Sequence, residues 1–306
     1  MPESCLAVKL AGLSLKNPLL PASGTYGYGR EYLPFFTPDR FGAVVTKGVA
    51  VNPWTGNPPP RVCETPSGML NAIGLQNPGV EQFITEALPF LREYQTPVLV
   101  NIVGKTIPEY VAVAERLNEF PEVSGFELNI SCPNVKEGGI AFGTCPQTAH
   151  AITAAVRQVT AKPLIVKLSP NVTDITEIAQ QVEAAGADAL SMINTLLGMK
   201  IDLRSRRPFL GNQVGGLSGP AIKPVALRMV WQVYRQVSIP IVGMGGIGSA
   251  EDALEFIMAG ASAVAIGTAL FRNPRAPEEI LAGMAEFLAS ENVGSITELV
   301  GAAQKN

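Results

Sequence analysis

Apolar, β-rich runs recur along the chain at 19–20, 43–46, 98–102, 126–130, 164–168, 189–193, 239–242 and 263–266. Between most of them the apolar positions take the spacing of amphipathic helices, over 80–94, 108–120, 146–159, 174–185, 220–237, 250–259 and 277–290. Thr173-Asp174 and Ser249 are helix-start residues, and Gly186 and Gly260 suit helix ends. Alternation of this kind predicts a parallel sheet, and eight units favour an α/β fold of the closed (β/α)8 TIM barrel type over an open doubly wound sheet. Residues 6–15 carry Gly12 between two short apolar stretches, which predicts a hairpin under the barrel. The rhythm is broken near 49–77 and 195–219, which read as insertions within one domain spanning 1–306.

In a barrel the C-terminal strand ends share one face, and chemistry sits there. In order, those ends read Ser23-Gly24, Lys47-Gly48, Asn101, Asn129, Lys167, Asn194-Thr195, Gly245-Gly246 and Gly267-Thr268. Loop solvation explains one or two such residues, whereas amides and lysines on successive strands call for a common polar ligand.

The glycines from Gly243 to Gly248 match G-x-G-x-x-G, but no acid follows about twenty residues on, so the dinucleotide fingerprint is incomplete. In a barrel the same glycines, with Gly267-Thr268, form a phosphate grip from bare N–H groups. A phosphate there, with lysines and asparagines across the mouth, suits flavin mononucleotide (FMN). Lys167 is then the charge beside the N1/C2 edge of the ring.

The fourth run ends in Ser131-Cys132-Pro133-Asn134. Pro133 stops the strand, so the thiol of Cys132 falls in the loop at the mouth. Residues 135–143 carry three glycines and read as a hinged lid. A lone cysteine is more often a small buried hydrophobe than a catalyst, and Cys63 and Cys145 are read as structural.

Composition narrows the classes. The chain has 306 residues, 47% of them apolar, which fills a barrel plus insertions. A net charge of -3 and a single histidine, His150, argue against nucleic-acid binding and a histidine metal site. Arg204 to Arg207 reads as a solvated loop. Cysteines at 5, 63, 132 and 145 form no Cys-x-x-Cys pair, so no metal site or iron–sulfur cluster is expected in this chain and the thiols are expected reduced. With neither a leader pattern nor an apolar run of bilayer length, the expected location is the cytoplasm, without membrane contact.

The segment Asn129-Ile130-Ser131-Cys132-Pro133-Asn134-Val135-Lys136, with the Gly-Gly and Phe-Gly that follow, resembles the active-site segment of class 1B dihydroorotate dehydrogenases. The resemblance continues through Pro21 to Gly24, Thr46 to Gly48, Asn71 to Leu75, Val166 to Asn171 and Gly215 to Pro220, and so covers nearly the whole chain. It implies FMN contacts at Ser23, Lys47, Gly48, Asn101, Asn129, Lys167, Ile193, Gly219, Gly245, Gly246, Gly267 and Thr268. Dihydroorotate would meet Lys47, Asn71, Ala72, Ile73, Gly74, Leu75, Asn129, Asn194 and Thr195. Cys132 would take the C5 proton while hydride leaves C6 for the flavin, giving orotate in pyrimidine biosynthesis.

By the same resemblance the chain forms a homodimer joined to a subunit carrying FAD and a [2Fe-2S] cluster, a heterotetramer that delivers electrons to NAD. The fumarate-using class 1A enzymes and dihydropyrimidine dehydrogenase-like flavoenzymes are the nearest alternatives. A sugar-phosphate lyase or isomerase would leave Cys132 and the asparagines without a task, and a non-catalytic scaffold needs no polar strand ends.

Overall fold

A computed structural model describes residues 3–131 and 142–304. Its centre is an eight-stranded parallel sheet. In chain order the barrel strands are Leu19–Pro21, Val44–Val45, Val98–Ile102, Val123–Asn129, Leu164–Lys167, Ala189–Met192, Ile241–Met244 and Ala263–Ile266, and the last pairs with the first. The remaining gap, between first and second strands, is bridged by the Gly42 N–H donating to Leu19 O at 2.9 Å. Only glycine permits that approach, since a Cβ at residue 42 would lie 2.0 Å from Asn17 O. Most of these strands are buried on both faces, which explains their nearly continuous apolar runs.

The helices cover the outside as their periodicity predicts. In Ile107–Asn118 the buried positions are Tyr110, Val113, Ala114 and Leu117, a single stripe, and Thr106 caps the N-terminus by accepting from the Glu109 N–H. Each such fully buried large side chain contributes on the order of 1.5–3 kcal/mol. Ser249 and Asp252 form a reciprocal capping box at the start of Ala250–Ala259. No helix among the described residues is long and apolar enough to cross a membrane.

Several boundaries differ from expectation for identifiable reasons. The fourth strand begins at Val123 because Ser124 forms a bulge, its hydroxyl accepting from the Val98 N–H at 3.2 Å, and the ladder resumes at Gly125. The seventh begins only after Pro240, which has no N–H to give a ladder. The expected helix over 80–94 is broken into Val80–Gln82, a wide turn Phe83–Ala87 and Leu88–Leu91. Pro89 removes a helical donor there, and the preceding turn widens, the Leu88 N–H reaching back to Phe83 O. The stretch 220–237 likewise opens with a tight turn, Pro220–Ile222, before the helix Lys223–Tyr234.

The hairpin is present: Val8–Leu10 pairs with Leu13–Leu15 around Ala11 and Gly12, both at positive φ. It leads straight into the first barrel strand at its N-terminal end, opposite the mouth. The two insertions join each other. Val62–Thr65 and Gly68–Asn71 from the first, with Leu196–Met199 and Val214–Ser218 from the second, form one four-stranded antiparallel sheet beside the mouth.

Candidate active site

The C-terminal strand ends surround a cavity of about 340 Å³. Every described flavin-contact candidate lines it: Ser23, Lys47, Gly48, Asn101, Asn129, Lys167, Ile193, Gly219, Gly245, Gly246, Gly267 and Thr268. So do Asn71, Ile73, Gly74, Leu75, Asn194 and Thr195 from the substrate set. Ala72 does not. Its methyl packs with Cys63, Leu70 and Leu210 in a small separate apolar cluster, because alternate residues of an extended segment face opposite ways. Met69, Ser218 and Phe271 also line the cavity and were not anticipated.

Cys132, Asn134 and most of the expected lid, residues 132–141, lie outside the described residues. Their anchors do not. Ser131 is fully buried, and a Cβ on Gly143 would lie 2.3 Å from Ile130 O, so the chain leaves and rejoins the barrel at the end of the fourth strand. Of the other thiols, Cys5 and Cys63 are buried, and Cys145 is partly exposed. Hydrogen bonds from Thr148 and Gln147 hold the Cys145 thiol below its ordinary pKa.

The interior half of the site is a connected set of buried polar side chains. Asn101 Nδ2 donates to Glu127 Oε1 at 2.5 Å, and the Ser191 hydroxyl donates to Glu127 Oε2 at 2.9 Å. Lys167 Nζ lies 3.8 Å from Glu127 Oε1 and donates to Ser23 Oγ at 3.3 Å. Asn129 Nδ2 donates to Asn101 Oδ1 at 3.5 Å, while Asn129 Oδ1 accepts from the Ser131 N–H and hydroxyl at 3.3 and 3.2 Å. Asn194 Nδ2 donates to Ser131 Oγ at 2.8 Å.

Glu127 carries much of this order, and sequence reasoning gave it no role. Its signal was a charge inside an apolar run, the feature that singled out Lys167.

Across the mouth the groups are backbone. Gly219, Gly245 and Gly246 have φ of 99°, 128° and 80°. A Cβ on Gly246 would lie 2.8 Å from Lys223 Cβ and 2.9 Å from Gly219 O. The N–H groups of Gly246, Gly267 and Thr268 find no carbonyl partner among the described residues. Bare donors at the ends of strands seven and eight suit a phosphate. Lys223 stands behind them, held at 2.6 Å by Asp252 and 3.0 Å by Glu255.

Lys47 faces the cavity from the second strand, and burial pushes its ammonium below the ordinary lysine pKa, with Glu31 opposing and Arg61 adding to the shift. Leu75, at φ 55°, is a strained left-handed residue in the wall, and Asn77 Nδ2 holds its carbonyl at 2.8 Å. Asn171 pins the start of the second insertion, donating to Thr195 O at 3.0 Å and accepting from the Leu197 N–H at 2.9 Å.

Known proteins resemble this chain in sequence and in fold. The sequence profile described as dihydroorotate dehydrogenase matches residues 5–288. A Pelobacter propionicus protein named dihydroorotate dehydrogenase B (NAD(+)), catalytic subunit, is 60% identical over 299 residues, 98% of each chain. A Geobacter sulfurreducens protein of the same name is 55% identical over 304 residues, 99% of this chain and 100% of that one. The crystal structure of DHODH in complex with ferulenol from Eimeria tenella superposes with a TM-score of 0.83 at 23% identity, covering 100% of this chain and 90% of that one, a likeness of fold. The chain belongs to the dihydroorotate dehydrogenase family.

Proposed function

We propose that this chain oxidises (S)-dihydroorotate to orotate in pyrimidine biosynthesis, with FMN as its resident cofactor. The observation that carries the reading is a cavity in which buried amides and a lysine on one side face backbone N–H groups that have no carbonyl partner among the described residues on the other. The residues fit FMN. Gly245, Gly246, Gly267 and Thr268 would hold its phosphate, and Ser23, Gly48, Asn101, Asn129, Lys167, Ile193 and Gly219 its ring and ribityl chain. When bound, FMN supplies a hydride acceptor.

The chain's own groups do the rest. Lys47 offsets the substrate carboxylate, and the amides of Asn71, Asn129 and Asn194 offer hydrogen bonds to the imide edge. Backbone from Ile73 to Leu75, with Thr195, walls the ring. Cys132 removes the C5 proton; an ordinary thiol pKa near 8.5 makes it a better base as pH rises.

The relatives' shared name favours NAD as final acceptor over fumarate, and "catalytic subunit" implies a separate partner. We assign FAD and a [2Fe-2S] cluster to that partner, and a homodimer to this chain within a cytoplasmic heterotetramer. The apolar residues Leu197, Met199, Ile201 and Leu203, exposed along the second insertion, support a contact between subunits.

The test is an anaerobic titration of the purified chain with dihydroorotate. Stoichiometric bleaching of the flavin band, with poor NAD reduction by the isolated chain, is the expected result. A colourless protein that takes up no FMN overturns the reading.

A further inference from the structure

We propose that Glu127 is the positioning residue from which the site takes its polarity: it orients both asparagines and supplies the counter-charge that limits how strongly Lys167 pulls on the cofactor. This rests on the reading of the cavity as a flavin site.

The argument starts from hydrogen-bond capacity. A carboxylate only accepts, so Asn101 must turn its NH2 toward Glu127 Oε1, as it does at 2.5 Å. Asn101 Oδ1 then faces away and can only accept, so Asn129 must present its own NH2, and does. Asn129 Oδ1 is left to receive the Ser131 N–H and hydroxyl. Reversing any amide in the series sets donor against donor or acceptor against acceptor. One acid therefore dictates the orientation of two cavity-lining amides and of Ser131, the residue before Cys132 in sequence.

The second half of the argument is charge. Glu127 is 2% exposed and Lys167 5%, so water screens neither. At 3.8 Å the two form a buried pair, and removing one member leaves the other uncompensated. With Glu127 neutral, the full field of Lys167 would act on an adjacent flavin and favour its anionic reduced form.

Glu127→Gln separates charge from shape. Its amide oxygen can still accept from Asn101, and its amide nitrogen can donate to Ser191 Oγ. The expected result is an FMN-loaded protein whose two-electron midpoint potential rises by about 30 mV or more, a tenfold change in the oxidised-to-reduced ratio. An FMN-loaded Glu127→Gln protein with the wild-type potential overturns the proposal, and leaves the flavin reading intact.

A second arm needs no cofactor and stands even if Glu127→Gln alone does not fold. In apo-protein, Lys167→Met strands a buried carboxylate, so the double variant Lys167→Met/Glu127→Gln should melt at a higher temperature than Lys167→Met. A double variant melting no higher than the single one overturns the pairing and the proposal with it. Failure of the wild-type chain to bind FMN would instead remove the flavin reading, while this arm still decides whether the pair exists.

Discussion

The two sides of the mouth recognise by different means. From strands three to six come side chains, Asn101, Glu127, Asn129, Lys167 and Ser191, tied to one another, with Asn194 joined to them through Ser131. At strands seven and eight, and at Gly219, comes bare backbone, in conformations and spaces that exclude a Cβ at Gly219, Gly245 and Gly246. Side chains give direction and charge, and exchange protons. Backbone N–H groups give a fixed, pH-independent set of donors suited to a phosphate. A flavin nucleotide needs both, because its ring is polar and redox-active while its phosphate must only be held.

Breaking each side separately sharpens that contrast. The largest effect belongs to the reacting side: Cys132→Ala should retain FMN and bind orotate, yet lose on the order of 10²–10⁴-fold in kcat, the usual range for a general base. Normal turnover of dihydroorotate by this variant would exclude Cys132 as the base.

On the backbone side, Gly246→Ala places a methyl against Lys223 and Gly219 at φ 80°. A left-handed non-glycine residue costs about 1–2 kcal/mol before any clash. FMN affinity, read by fluorescence, should fall about tenfold or more, while orotate binding to whatever holoprotein remains changes little.

The Lys47 side gives a smaller, pH-dependent effect. Burial lowers the Lys47 pKa, so as pH rises the ammonium is lost at a lower pH than the usual value of about 10.4. Attraction for the orotate carboxylate is therefore complete below that lowered pKa and lost above it. Orotate Kd, followed by perturbation of the flavin spectrum, should rise a few-fold more steeply with pH in wild type than in Lys47→Ala. Identical profiles would place the carboxylate elsewhere.

The smallest effect expected is none. Cys145 should react with iodoacetamide because its thiol is partly exposed and its pKa lowered, yet Cys145→Ser should keep full turnover.

What the amino-acid sequence discloses follows the range of the forces involved. Strand and helix alternation is local, so the barrel units could be read in order, and errors fell where a neighbour intervened: the bulge at Ser124, Pro240 and Pro89. Strand-end chemistry was legible because a barrel carries all such ends to one face. The joined sheet was not, since Asn71 meets Gly216 from a separation of 145 residues and no local pattern records such a pairing. Glu127 escaped notice because its meaning lies in partners on other strands, Asn101, Lys167 and Ser191.

That late pairing also governs how the protein is made. The ribbon Val62–Thr65 with Gly68–Asn71 emerges early from the ribosome with one side of Gly68–Asn71 unmatched, an open edge of the kind that invites association between chains. It stays unmatched until Val214–Ser218 has been synthesised, by which time six of the eight barrel strands exist. This wall of the cavity thus closes late, and a chain cut short before residue 214 keeps the seam open beside a sheet of six strands that lacks the last strand needed to close the ring.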